Sequence, residues 1–202
     1  MPRYLAALLS ALVPLTVPAL DLMEPSRMPK PDQAPVVQEV PPGGEFTLHS
    51  ADGPVSLKDF RGKPVFLYFG YSKCPDICPT SLATLGKTLH ELSEAEQQQV
   101  AALFVSVDPQ RDSTEALKAY AGYFHPNLVG VTGSDDEVAA VAWLYGARYY
   151  QVELEGSPFG YAVNHSSATY LLTAEGELRF IFPYRTPSEV MLEAVRYLLA
   201  GN

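Results

Sequence analysis

Only two cysteines and four histidines occur in 202 residues, and nowhere do Lys and Arg gather. Two cysteines cannot build the multi-bridge framework of a small secreted scaffold, so the fold has to rest on a hydrophobic core. The 14 basic residues are outnumbered by 23 acidic ones, giving a net charge of −9, which argues against nucleic acid as a partner. No internal repeat is present. A chain that is 47% hydrophobic and 18% charged can bury one good core, and one globular domain is the simplest organisation.

Long apolar runs are also scarce. Residues 4–20 follow Arg3 and are apolar apart from Ser10 and Thr16, but they fall slightly short of the about 20 residues a spanning helix uses, and they contain Pro14 and Pro18. A positive end followed by such a run is an export signal, and Val17-Pro18-Ala19 supplies small residues for cleavage. Proline is tolerated in membrane helices, so residues 1–22 are read as a signal peptide or an N-terminal membrane anchor. Residues 23–42 hold Pro25, Pro29, Pro31, Pro35, Pro41 and Pro42, too dense for helix or inner strand, and read as a Pro-rich tether. Residues 43–202 are then the folded domain.

The rest of the chain is organised around one stretch. Val65 to Gly70 is a nearly unbroken apolar run of strand length, the pattern of a strand covered on both faces. It passes into a turn holding Cys74 and Cys78, after which Leu82, Leu85, Leu89 and Leu92 recur at helical spacing. Because Pro79 is disfavoured beyond a first helical turn, the helix is expected to start at Pro79 with Cys78 as its cap. That placement would set Cys78 against the positive end of the helix dipole and favour its thiolate.

Around this unit the elements alternate. Glu45 to His49 and Val55 to Leu57 read as an N-terminal hairpin turned by Ala51-Asp52-Gly53-Pro54. Ala101 to Val107 is a second buried strand, Ser113 caps a helix through Phe124, Leu128 to Thr132 is a third strand, and Asp135 to Tyr145 a third helix closed by Gly146. Ala168 to Thr173 and Leu178 to Phe182 flank a hairpin turn. Pro187 opens a last helix with Val190, Met191, Ala194, Val195 and Leu198 as its buried face. Parallel strands, then an antiparallel hairpin and a closing helix, with a cysteine pair after the first buried strand, describe an α/β, thioredoxin-like fold. Its central mixed sheet has flanking helices and an N-terminal β-hairpin.

Sheet geometry ranks the histidines. The cysteines lie past the carboxyl end of their strand, the usual edge for sites in open α/β sheets. His90 and His125 belong at the opposite edge, and His49 sits on a hairpin outside the main sheet. His165 stands just before a strand antiparallel to the central one, which brings it to the cysteine edge. Asp108 closes the second strand at that edge too, as a turn residue or as an outer contact of the site.

Two thiolates and one imidazole form a soft, incomplete ligand set. Structural zinc normally takes four protein ligands, whereas an open thiolate-rich site suits Cu(I) that must leave again. The same cysteines could exchange with a partner's disulfide. Three residues separate them, however, against two in the common C-x-x-C motif, and no proline directly precedes the strand facing them. A plain structural disulfide would close too small a loop to remove much unfolded-state entropy. A peroxidase, with Lys73 or Arg148 as the cation, is the least supported reading.

Several stretches together resemble the Sco/SenC family of copper chaperones: Leu57-Lys58-Asp59-Phe60-Arg61-Gly62-Lys63, Phe69 through Thr80 with its C-P-D-I-C-P core, Ser106-Val107-Asp108-Pro109-Gln110-Arg111-Asp112, and Val163-Asn164-His165-Ser166. The resemblance implies that Cys74, Cys78 and His165 are ligands for Cu(I) and Cu(II). It also implies that the copper goes to the dinuclear CuA centre in subunit II of cytochrome c oxidase, with another periplasmic copper carrier as a further partner. The protein would work on the periplasmic side of the inner membrane, anchored or secreted, or in the mitochondrial intermembrane space. Asp108, Asp76 and Asn164 are the outer residues of the site on this reading. The family usually carries Asp where this chain has Asn164, so a weaker preference for Cu(II) is expected.

Overall fold

The structure is a computed structural model that describes residues 41–156 and 160–201. The expectations for residues 1–22, and for the tether as far as residue 40, lie outside the described residues. Among the described residues, no helix is long and apolar enough to cross a membrane.

Chain order gives a hairpin of β1 (Thr47–Ser50) and β2 (Gly53–Ser56), then β3 (Val65–Gly70), α1 (Ile77–His90), α2 (Glu94–Gln97), β4 (Ala101–Ser106), α3 (Thr114–Phe124), β5 (Leu128–Val131) and α4 (Asp135–Leu144). After these come β6 (Tyr149–Glu153), β7 (Tyr161–His165), β8 (Thr169–Leu172), β9 (Leu178–Phe182) and α5 (Ser188–Leu199). The main sheet has the order β5-β4-β3-β8-β9, with β3, β4 and β5 parallel and β8 and β9 antiparallel to their neighbours. This is the expected thioredoxin-like arrangement. The N-terminal hairpin is a separate two-stranded unit tied to the main body where His49 and Thr132 exchange backbone hydrogen bonds.

Every residue of β3 and β4 is buried, because side chains of both parities meet a covered face. On one side Tyr68 stacks on Phe104, and Phe104 meets Tyr120 of α3. On the other, Phe69 and Tyr170 pack against Tyr145, which follows α4. Gly146 ends α4 with φ +66, the left-handed conformation that a helix C-terminus reserves for glycine.

Several local expectations are corrected. Helix α1 begins at Ile77 with Asp76 at its N-cap, so Cys78 and Pro79 both lie inside the first turn. Pro79 is tolerated there because the first four N–H groups of a helix have no partner, and Thr80 is the first whose N–H bonds back, to Asp76 O at 3.2 Å. Helix α1 ends at His90 and α4 at Leu144, short of the expected Leu92 and Tyr145, although both of those side chains are buried. Strands β4 and β5 each stop one residue earlier than read, and the first hairpin strand runs to Ser50 rather than starting at Glu45. On α5, Met191, Val195 and Leu198 are buried but Val190 is 46% exposed, since it lies one helical step off their stripe. The β6–β7 ribbon is absent from the sequence reading, and His165 is the last residue of β7 rather than part of a loop before β8.

Candidate metal centre

The site begins at Gly70, where β3 stops. A Cβ there would come within 2.6 Å of Cys78 Sγ and 3.0 Å of Tyr68 Cε1, so only glycine leaves the sulfur its place. The loop that follows is knotted to β4 by Asp112. This buried carboxylate accepts from the Ser72 backbone N–H at 2.9 Å and from the Ser106 hydroxyl at 2.6 Å. Val107 N–H completes the tie by bonding Gly70 O at 2.8 Å. Cys74 and Cys78 are thus fixed one turn apart at the mouth of α1, both buried and both as free thiols.

His165 arrives from the other direction, on β7. Its Nε2 lies 3.1 Å from Cys78 Sγ and 3.9 Å from Cys74 Sγ, and the three potential ligand atoms all lie within 4.8 Å of one another. Among the described residues this is the one group of three or more Cys, His, Asp or Glu side chains so placed. Nδ1 of His165 stands 3.0 Å from Ser166 O, a carbonyl that can only accept. The proton therefore sits on Nδ1 and the Nε2 lone pair faces the two sulfurs, the tautomer a metal requires.

Edge-on contacts to Tyr71, at 5.9 Å between centroids, and Tyr68, at 6.3 Å, hold the imidazole plane. Behind Tyr71 is a clamp of residues. Arg111 donates to Asp108 Oδ2 at 2.6 Å and to Tyr161 O at 2.8 Å, and its guanidinium lies 3.7 Å from the centroid of the Tyr161 ring. The Tyr161 hydroxyl returns to Asp108 Oδ1 at 2.7 Å, and Val163 N–H reaches the Tyr71 hydroxyl at 3.4 Å. Asp108 thus acts through Arg111 and Tyr161 on the ribbon that carries His165.

The other two expected outer residues sit differently. Asp76 is exposed, and its backbone N–H, with that of Cys78 at 3.4 Å, points at Cys74 Sγ. Asn164 alternates to the opposite side of β7 from His165, is exposed, and donates to the Tyr150 hydroxyl at 2.9 Å. Arg111 and Asp112 lie within a stretch that resembles the family, yet nothing in their immediate sequence marks them as site residues. Their roles depend on contacts 40 to 50 positions away, which no local pattern carries.

The two thiols divide the opposite way from the dipole expectation. Cys74 is lowered well below the ordinary thiol range, chiefly by the hydrogen bond from the Cys78 side chain, with further help from the Asp76 and Cys78 backbone N–H groups. Cys78 is pushed up, first by burial and then by the neighbouring Cys74. Full burial outweighs the helix terminus at Cys78, whereas Cys74 collects the donors.

A family model described as SCO1/SenC matches residues 36–200. The chain belongs to the SCO1/SenC family. Among relatives, the mitochondrial protein SCO1 homolog 1 of Arabidopsis thaliana is 41% identical over 134 residues, 66% of this chain. The chain spans 40% of the length of that protein and 60% of the bovine mitochondrial SCO2 homolog, which is 38% identical over 160 residues. The crystal structure of Arabidopsis ScoI with copper bound matches with a TM-score of 0.72 at 35% identity, covering 79% of this chain and 99% of that one. BsSco, described as a member of the Sco family of cytochrome c oxidase assembly proteins and as containing a disulfide switch, matches with a TM-score of 0.62. It is 26% identical, with 79% of this chain and 94% of that chain covered.

Proposed function

We propose that the protein binds copper between Cys74 Sγ, Cys78 Sγ and His165 Nε2 and delivers it to the CuA centre of cytochrome c oxidase subunit II during assembly. The observation that carries this reading is the convergence of two thiols and one imidazole with an open Nε2 within 4.8 Å, with no fourth Cys, His, Asp or Glu among the described residues in that group. Two sulfurs and a nitrogen suit Cu(I), and three ligands leave an edge through which an acceptor can approach. The copper-bound state of a plant relative and the assembly role stated for BsSco support the same reading. It places the protein at the outer face of a bacterial inner membrane or in the intermembrane space, working with a copper donor there.

A second reading has its own support in the Cys74 thiol. With its pKa lowered and Cys78 one turn behind, Cys74 is the sulfur that would attack a disulfide on the recipient subunit, and Cys78 the one that would resolve it. The two activities share one switch, since a Cys74–Cys78 disulfide cannot hold metal.

The deciding experiment loads the reduced chain with Cu(I) and compares copper stoichiometry and retention with His165→Ala. The copper reading expects about one ion per chain in the parent and loss in the variant, while dithiol exchange survives. Equal retention in both would sink the ligand set.

A further inference from the structure

Behind the sulfur of Cys78 lies a pair of hydroxyls that the three-ligand site does not use. Among the described residues, Tyr68 OH and Ser81 Oγ are both buried without a hydrogen-bond partner. A buried hydroxyl left unsatisfied destabilises the fold, so two side by side call for a physical cause.

Their positions supply it. Ser81 follows Cys78 by three residues on α1 and shares its face of the helix. Tyr68 and Cys78 border the same small gap beside Gly70, with Tyr68 Cε1 and Cys78 Sγ both closing on the point where a Cβ would stand. The Tyr68 hydroxyl neighbours both the Ser81 and Cys78 side chains and makes a full hydrogen bond with neither. On its other flank Cys78 Sγ faces His165 Nε2 at 3.1 Å and the Cys74 side chain. A neutral thiol is a weak acceptor and gives the hydroxyls little reason to turn. A thiolate is a strong one, and Cys78 is 0% exposed, so solvent cannot supply the donors that a buried anion needs.

We propose that Tyr68, assisted by Ser81, is a positioning residue for the copper cargo: the two hydroxyls rotate to donate hydrogen bonds to Cys78 Sγ when that sulfur is a metal-bound thiolate. They stabilise the loaded form and burden the empty one, so they set how firmly the buried sulfur grips the ion. This rests on the copper reading above.

The test uses the full chain as Tyr68→Phe, Ser81→Ala and the double variant, with Cu(I) as the probe in competition with a coloured Cu(I) chelator. Melting temperatures with and without copper and the Cu(II)–thiolate absorption band are read alongside. Tyr68→Phe should hold Cu(I) about tenfold more weakly, the worth of one hydrogen bond to a charged group. Its Cu(II)–thiolate band should move to lower energy, and its metal-free form should melt at the parent temperature or higher. Ser81→Ala should show a smaller change of the same sign. Parent-like affinity and band position in the double variant overturn the proposal. So does a lower metal-free melting point with the copper-induced rise intact, which marks a purely structural tyrosine. If His165→Ala keeps copper as tightly as the parent, the copper reading itself fails, and that result is separate from any behaviour of Tyr68.

Discussion

Histidines meet side-chain partners at two opposite edges of this molecule, and only one edge turns an open ring nitrogen toward two thiols. At the far edge His90 and His125 lie with ring centroids 4.4 Å apart, closer than His165 lies to any ring near it. There the Nδ1 atom of the buried His125 accepts the backbone N–H of Asn127 at 3.0 Å, so in the neutral ring the proton is on Nε2 and no lone pair is left for an ion. At the cysteine edge the neighbour of Nδ1 is a carbonyl, the proton is held on Nδ1, and Nε2 is open toward two sulfurs. What separates an imidazole with an open Nε2 from a packed one here is the polarity of one backbone group next to the ring.

The strongest way to break this contrast is to exchange the edges' histidines for alanine in turn. His165→Ala should lose more copper affinity than the about 10–100-fold typical of an outer-contact change, while His125→Ala should bind copper like the parent, both read by chelator competition. Equal losses would mean that the far pair takes part. Next in size is the clamp behind His165. Arg111→Met leaves the fully buried carboxylate of Asp108 without its ion-pair partner and should cost about 3 kcal/mol in denaturant unfolding. In the same variant, copper binding should weaken while the reactivity of Cys74 with a disulfide reagent changes little.

A pH series sharpens the other side. Burial, and then the neighbouring His90, lower the pKa of His125, so its folded value lies below the about 6.5 of an unfolded chain. Its contribution is intact above that pH and is lost as the pH falls from there through the folded value, because the unfolded state takes up the proton first. The melting temperature of His125→Gln should therefore decline less between pH 7 and pH 5 than that of the parent. The smallest effect is expected from Asn164→Asp. The side chain is exposed and turned toward Tyr150, so a carboxylate there is screened and should raise the preference for Cu(II) by less than about tenfold. A larger shift would mean that residue 164 turns inward when metal is bound.

Much of this contrast was legible in the chain itself. Apolar runs of strand length, helical leucine spacing and the Ser113 cap gave the sheet and its crossovers. The rule that sites gather beyond the carboxyl ends of parallel strands then separated His165 from His90 and His125. The ribbon of β6 and β7 escapes the sequence reading because β6 is exposed almost throughout and β7 is mostly half-buried, so neither strand shows the alternation that marks a strand with one covered face. The start of α1 was misplaced by treating Pro79 as a first-position residue when any place in the first turn would do. That error carried over into the thiol assignment, where a dipole argument pointed to Cys78. The deciding quantities, full burial of one sulfur and donors collected by the other, exist only once the chain has folded.

The Asp112 knot has a consequence for how the site can vary. It anchors the thiol-bearing loop to β4, whereas the imidazole comes in on a ribbon outside the five-stranded sheet, linked back through Asp108, Arg111 and Tyr71. Both anchorages therefore meet in the turn from Asp108 to Asp112, so a change in that turn moves imidazole and sulfurs together, whereas one confined to the ribbon acts on the imidazole first.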